Sequence, residues 1–176
     1  MPTPCRLAES GGYMATLECQ EDVTHTRHFV PLTKDEYNQG PTALQLESQY
    51  LCQICHGAMR AHWWGPTFQL DGQILYRRQL PPGTMYWESW HPAQCRFWDN
   101  CDGKHLHVIL PNGIHWNIDG RASNCTLPQD RVHRCWIREG IPPYITVGKN
   151  GLTCSVGAGS IQVMNYHGFL RDGILT

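Results

Sequence analysis

The chain has 176 residues and a formal net charge of −1, which is room for one domain, or one with a small N-terminal appendage. That balance argues against a protein that coats nucleic acid, which carries a strongly basic surface. Charged residues make up 16% of the chain, well below the ~25% of average soluble domains, and seven tryptophans and seven tyrosines supply the bulk for an aromatic-rich core.

No apolar run approaches the ~20 residues that a membrane span needs. Met1-Pro-Thr-Pro-Cys-Arg lacks the apolar stretch of a secretory signal. The expected location is therefore a reducing cytoplasm, where disulfides are rare. Nine cysteines in that setting need another explanation. Zinc is the first, and buried unliganded thiols are its competitor.

In chain order, residues 1–12 read as a loose lead-in and 13–19 as a first strand. His28–Leu32 reads as a second strand. Thr33 followed by Glu36 has the spacing of a capping box, so a helix is expected to start there. Gly40-Pro41 ends it, and 42–51 shows weak helical periodicity. Thr67–Leu70, Asp71-Gly72 and Gln73–Arg77 form a hairpin pattern, because Gly accepts the positive φ of a type I′ turn. Leu80-Pro-Pro-Gly marks a boundary. Lys104–Leu110 and Ile114–Asp119 make a second hairpin around Pro111-Asn112-Gly113. Residues 120–143 read as irregular. Short strands are expected over 144–147, 152–156, 160–164, 166–170 and 173–175. The sum is an all-β or β-dominated α+β protein, a compact sandwich or barrel-like domain. Residues 1–79 would form an N-terminal zinc-knuckle and hairpin region, and 80–176 a β-rich domain.

Cys52-Gln-Ile-Cys55 is the most specific metal signal. Two thiolates at this spacing lie on one tight turn and can bind one ion. The remaining donors are expected from the preceding strand region, Cys19 with His25 or His28, giving Cys52, Cys55, Cys19 and His28 as the expected structural zinc set. A redox dithiol competes, without the βαβ pattern that would support it. Residues 95–135 hold four cysteines and four histidines. Cys95, Cys101, Cys125 and Cys135 are a possible second site, with looser spacing than a zinc ribbon, and Cys154 is a further possible ligand.

His105-Leu-His107 falls on a predicted strand, where residues two apart share a face. Leu106 and Val108 would take the core side, leaving both imidazoles toward solvent or a polar cleft. With Asp119 they are the alternative catalytic set of a metal-dependent hydrolase. The enzyme templates each lack a part. A double-stranded β-helix site needs a nearby glutamate, and a metallo-deubiquitinase-like peptidase needs an intervening Ser and a differently spaced Asp. A zinc deaminase needs His-x-Glu with Pro-Cys-x-x-Cys. Gly157-Ala-Gly159-Ser160 lacks a P-loop lysine and a following helix, and reads as a turn.

Leu80-Pro-Pro-Gly-Thr-Met-Tyr-Trp, Leu106-His-Val-Ile-Leu-Pro-Asn-Gly with Trp116-Asn-Ile-Asp, Ile141-Pro-Pro-Tyr-Ile-Thr-Val and Tyr166-His-Gly-Phe-Leu-Arg-Asp-Gly-Ile-Leu follow one another in that order. Over residues 80–176 this resembles a family of small phage and prophage proteins often labelled "ammonia monooxygenase". The closing Tyr-His-Gly-Phe-Leu string is its most specific part, and His167 falls within it. The label has no physical support here: no membrane span and no electron-transfer motif is present. Residues 1–79 and the set Cys95, Cys101, Cys125, Cys135 depart from the short, cysteine-poor pattern. The resemblance implies a phage or prophage origin. The expected function is a zinc-binding accessory or host-interaction module with a protein partner in the host cytoplasm. A virion component is the second reading and the hydrolase the third.

Overall fold

The computed structural model describes residues 1–22, 24–25, 27–39, 51–89, 104–149 and 159–176, with the backbone alone at 28, 39, 61–64 and 89. Strands dominate, a single short α-helix accompanies them among these residues, and the sheets close into no barrel. The chain divides into two units, Ser10–Gln79 and a second made of Leu80–Thr176 with Met1–Glu9. The expected helical stretch at 42–51 and the strand at 152–156 lie outside the described residues, apart from Leu51.

The chain opens with β1 (Thr3–Pro4) and β2 (Arg6–Cys19). Residues 13–19 form the expected strand, while β1 and the first half of β2, up to Gly12, occupy residues read from sequence as a loose lead-in. Their low hydrophobicity hid them, and partners distant in sequence order them: Pro4 pairs with Ile174, and Arg6–Ala8 run parallel to residues 84–86.

In the Ser10–Gln79 unit, the later part of β2 pairs antiparallel with β3 (His28–Leu32), Tyr13 opposite Leu32 and Leu17 opposite His28. Helix α1 (Lys34–Gln39) follows at once. Thr33 caps it as its spacing predicted: the Glu36 N–H donates to Thr33 Oγ1 at 3.2 Å, and Thr33 N–H donates back to Glu36 Oε2 at 2.7 Å. The predicted hairpin is present, with β4 (Met59–Leu70) longer than its sequence signal and β5 (Gln73–Tyr76) beside it. Asp71 and Gly72 both have positive φ, 51° and 78°, the type I′ signature. Ala15, Leu17, Cys19, Val30, Leu32, Cys52 and Met59 form this unit's core. The two cysteines are therefore fixed within the packed interior.

In the second unit, β6 (Thr84–Ser89), β7 (Lys104–Ile109) and β8 (His115–Asn117) make an antiparallel sheet. The β7–β8 turn is the expected one, with Gly113 at φ 80°. Asn112 braces it, accepting the Ile114 N–H and donating to Val163 O. A second sheet holds β9 (Trp136–Ile141), β10 (Tyr144–Lys149), β13 (Leu170–Arg171) and β14 (Ile174–Leu175), with β1 at its far edge. β11 (Ile161–Val163) and β12 (Tyr166–Gly168) form a separate pair. Met85, Leu106, Val108 and Trp116 of the first sheet pack against Ile145, Val147, Leu170 and Leu175 of the second. That is a sandwich core, built by period-two alternation on each strand. β9 was not legible in sequence: Arg138, Glu139 and Gly140 interrupt its apolar pattern. It is an edge strand, paired along its length with β10, and an edge position tolerates such residues.

Candidate metal centres

The first centre forms where the end of β2 meets the Cys52–Cys55 turn. The Leu51–Ala58 bridge closes the turn, and Cys52 and Gly57 join through the Cys52 N–H to Gly57 O bond at 2.9 Å. The Gln20 N–H donates to Ala58 O at 3.0 Å, which brings Cys19 to the turn. His25 comes from the loop that leaves β2. The ligand atoms of Cys19, His25, Cys52 and Cys55 all lie within 4.8 Å of one another.

These spacings fit tetrahedral zinc. Ligands at ordinary Zn–S and Zn–N lengths stand about 3.8 Å apart for two sulfurs and about 3.6 Å for sulfur and nitrogen. Cys19 Sγ and Cys55 Sγ are 3.4 Å apart, and Cys52 Sγ and His25 Nδ1 are 3.6 Å apart. A closed set of three cysteines and one histidine belongs to structural rather than catalytic zinc. Of the expected set, Cys19, Cys52 and Cys55 are brought together. His28 stands on β3 opposite Leu17, and its side chain is outside the described atoms. Among the described residues the imidazole of the group is His25, the other donor that the sequence offered.

The electrostatics favour the thiolate at two of the three cysteines, Cys52 and Cys19. The Cys55 N–H, with help from the Ile54 N–H at 3.4 Å, brings the Cys52 thiol down to about 6. Cys19 is lowered, chiefly by the Asp22 backbone N–H. Cys55 moves up: the Gly57 N–H pulls it down, but contact with the Cys19 thiol, burial and Cys52 outweigh that pull. The His25 imidazole is raised, first by its hydrogen bond with Cys19. The lowering at Cys52 favours the thiolate, the form that binds metal. Asp22 was not singled out in the sequence, yet its carboxylate Oδ2 lies 3.7 Å from His25 Nε2. The Asp22–His25 spacing of three residues, in a loop that follows a cysteine, is the signal that was available.

The second gathering is Cys125, His133 and Cys135, whose ligand atoms also lie within 4.8 Å of one another. Cys125 and Cys135 were expected at a metal site. Their expected companions Cys95 and Cys101, and Cys154, lie outside the described residues. His133 was overlooked as a ligand, although His133-x-Cys135 immediately before a strand is a short chelating spacing.

The histidine pair sits elsewhere. His105 and His107 lie on β7 opposite Glu88 and Tyr86, and both are buried. Of the two surroundings expected for the pair, solvent or a polar cleft, the solvent one is excluded, because β7 is paired on both sides and both of its faces are covered. The His107 ring stacks on Tyr86 at 5.3 Å, and its Nε2 stands 3.3 Å from Glu88 Oε2. Tyr86 OH in turn meets His115 Nδ1 at 2.8 Å. Asp119 accepts the Leu106 N–H at 2.7 Å and lies 3.4 Å from Arg138. It works as a clip at the end of the β7–β8 hairpin. Among the described residues, His105, His107 and Asp119 do not gather as a metal-ligand group. His167 is exposed on β12, opposite Gln162.

Comparison with protein-family models, curated proteins and solved structures finds no match. No helix among the described residues is long and apolar enough to cross a membrane.

Proposed function

We propose that this chain is a phage- or prophage-encoded, zinc-stabilised β protein that acts by binding a protein partner in the host cytoplasm. The observation that carries the reading is the closed Cys19, His25, Cys52, Cys55 set. Four protein ligands leave no coordination position for a substrate, so the metal contributes folding energy rather than chemistry. The phage origin rests on the resemblance of residues 80–176 alone.

A binding role is supported by the β9–β10 hairpin. Ile137, Ile141 and Tyr144 are exposed there, at 45%, 81% and 71%. Ile141 pairs with Tyr144 across the hairpin tip, so the two side chains share a face, and Ile137 lies four residues back on that face. Exposed apolar groups gathered on an edge hairpin are a common feature of interaction sites.

The test is affinity capture from host cells with the wild type and with Ile141→Asp/Tyr144→Asp. The reading expects one recurrent partner, lost in the variant while metal content and fold persist. Equal capture by both proteins counts against it. Recovery of the chain in purified virions would favour the structural role instead.

A further inference from the structure

We propose that Cys125, His133 and Cys135 hold a zinc ion of their own, independent of the first centre, and that this ion orders the segment between β8 and β9. That segment, residues 118–135, contains no helix or strand. Stretches of this length without secondary structure are uncommon in a packed domain unless something pins them. Three successive turns shape it, through Gly120 N–H to Asn117 O, Cys125 N–H to Ala122 O and Asp130 N–H to Leu127 O. Apolar burial does little to hold it. Between Asp119 and Arg134 the one buried side chain is His133, and Cys135 is the next. The entropy of ordering such a chain has to be offset by specific links.

Several polar links of the loop converge on the same place. Arg121 spans the loop, donating to Leu127 O at 2.8 Å and to Asp130 O, and its Nη1 lies 3.7 Å from Cys125 Sγ. Asp130 Oδ1 accepts the Val132 and His133 N–H groups at 2.9 and 3.1 Å, which fixes the backbone that presents the imidazole. Cys135 Sγ then lies 3.5 Å from His133 Nε2. This matches the edge of about 3.6 Å between sulfur and nitrogen on tetrahedral zinc. His133 and Cys135 are 7% and 2% exposed. Two thiols and an imidazole form a soft donor set that selects zinc over magnesium or calcium.

The placement has a consequence for the surface. Arg121 and Asn124 of this loop line a cavity of about 460 Å³ together with Trp116, Trp136, Lys149 and Gln162. Trp136 directly follows Cys135, and its ring meets Trp116 edge-on at 5.1 Å. An ion on Cys135 therefore fixes one wall of the cavity and the start of β9 together.

The full chain, purified without added metal, is analysed for zinc per chain. Two equivalents are expected. Cys135→Ser should lose one equivalent and Cys52→Ser the other. His133→Ala should lose the same equivalent as Cys135→Ser, while His133→Cys retains it. Because a cysteine variant can fail to fold, a second measurement uses the wild type: zinc is stripped and then added back under trypsin. Arg121, Arg131 and Arg134 should be cut in the stripped chain and protected in the reloaded one. Full zinc content in both Cys135→Ser and His133→Ala, or cleavage at these arginines unaffected by zinc, would overturn the proposal.

Discussion

Asp22 and His25 face each other at the outer side of the first candidate metal centre: the carboxylate Oδ2 lies 3.7 Å from Nε2, while Nδ1 of the same ring lies 3.6 Å from Cys52 Sγ. One ring nitrogen is thus turned inward and the other faces an acid. Thr24 fixes that acid through its N–H and its hydroxyl, both 2.8 Å from Asp22 Oδ1. A carboxylate on the far nitrogen of a metal-binding histidine sets its tautomer and raises its basicity. Asp22→Asn should therefore weaken zinc binding by about 10- to 100-fold with the fold retained. Competition against a chelator of known affinity measures this. Unchanged affinity would mean that Asp22 only shapes the loop. Cys52→Ser is the stronger change: it should release one equivalent of zinc and unfold the Ser10–Gln79 unit, since metal binding and folding are coupled.

Gly168, within the Tyr-His-Gly-Phe-Leu string, has a steric role. A Cβ at this position would collide with Thr176 O and come within 2.5 Å of the Tyr166 hydroxyl. Those two groups are themselves bonded, with Tyr166 OH donating to Thr176 O at 3.1 Å. The Phe169 and Thr176 N–H and C=O groups pair across the same gap. Gly168→Ala should cost about 3 kcal/mol, at the upper end of ordinary overpacking, because backbone rather than a flexible side chain has to move. Chemical denaturation of the two proteins reads the difference. His167→Ala next to it is exposed and should change stability by less than about 0.5 kcal/mol.

The hairpin turns and the helix cap were legible in sequence because each depends on neighbours within a few residues. Asp71-Gly72, Asn112-Gly113 and Thr33 with Glu36 carry their own instructions. β1, the start of β2 and β9 were not legible, since Pro4, Arg6 and Arg138 become strand residues through partners far along the chain. The metal centres divide in the same way. Cys52 and Cys55 identify themselves by spacing. Cys19 needs the β2 end docked on Ala58, and whether His25 or His28 completes the set is decided by the path of a loop. At the second candidate centre cysteine spacing alone does not reveal His133, two residues from Cys135. For the histidine pair, alternation shows which residues share a face. It does not show whether the second face is covered.

Cys5 offers a pH test in the other unit. Burial pushes its thiol from 9.0 up to about 12, so the folded state keeps the proton after the unfolded chain has released it. In that window the folded state binds more protons than the unfolded, and stability falls as pH rises. The contribution is complete below pH 9 and declines as pH climbs toward 12. Wild type should lose stability over that range more steeply than Cys5→Ala. Denaturation midpoints at several alkaline pH values compare them, and parallel curves would remove Cys5 as the cause. At neutral pH the same burial should make this thiol slow to react with alkylating reagents.

His107 gives the final test, which separates a structural from a catalytic role for the histidine pair. Its ring stacks on Tyr86, whose hydroxyl meets His115, and its Nε2 faces Glu88. Tyr86 is fully buried, so the imidazole packs beside a residue that cannot move away to fill a void. His105, two residues back and opposite Glu88, lies on the same buried face. Truncating a buried ring loses its contacts and leaves a cavity. His107→Ala should therefore destabilise the second unit by about 2 kcal/mol, with His105→Ala adding to it and the zinc content unchanged. A hydrolytic metal site at these residues would give a different pattern, in which one equivalent of metal is lost and the unfolding midpoint barely moves. Zinc analysis and thermal denaturation of the same three preparations distinguish the two. Loss of metal with an intact midpoint would restore the pair as ligands. Loss of stability with full metal would confine them to packing, with Asp119 as the clip on Leu106.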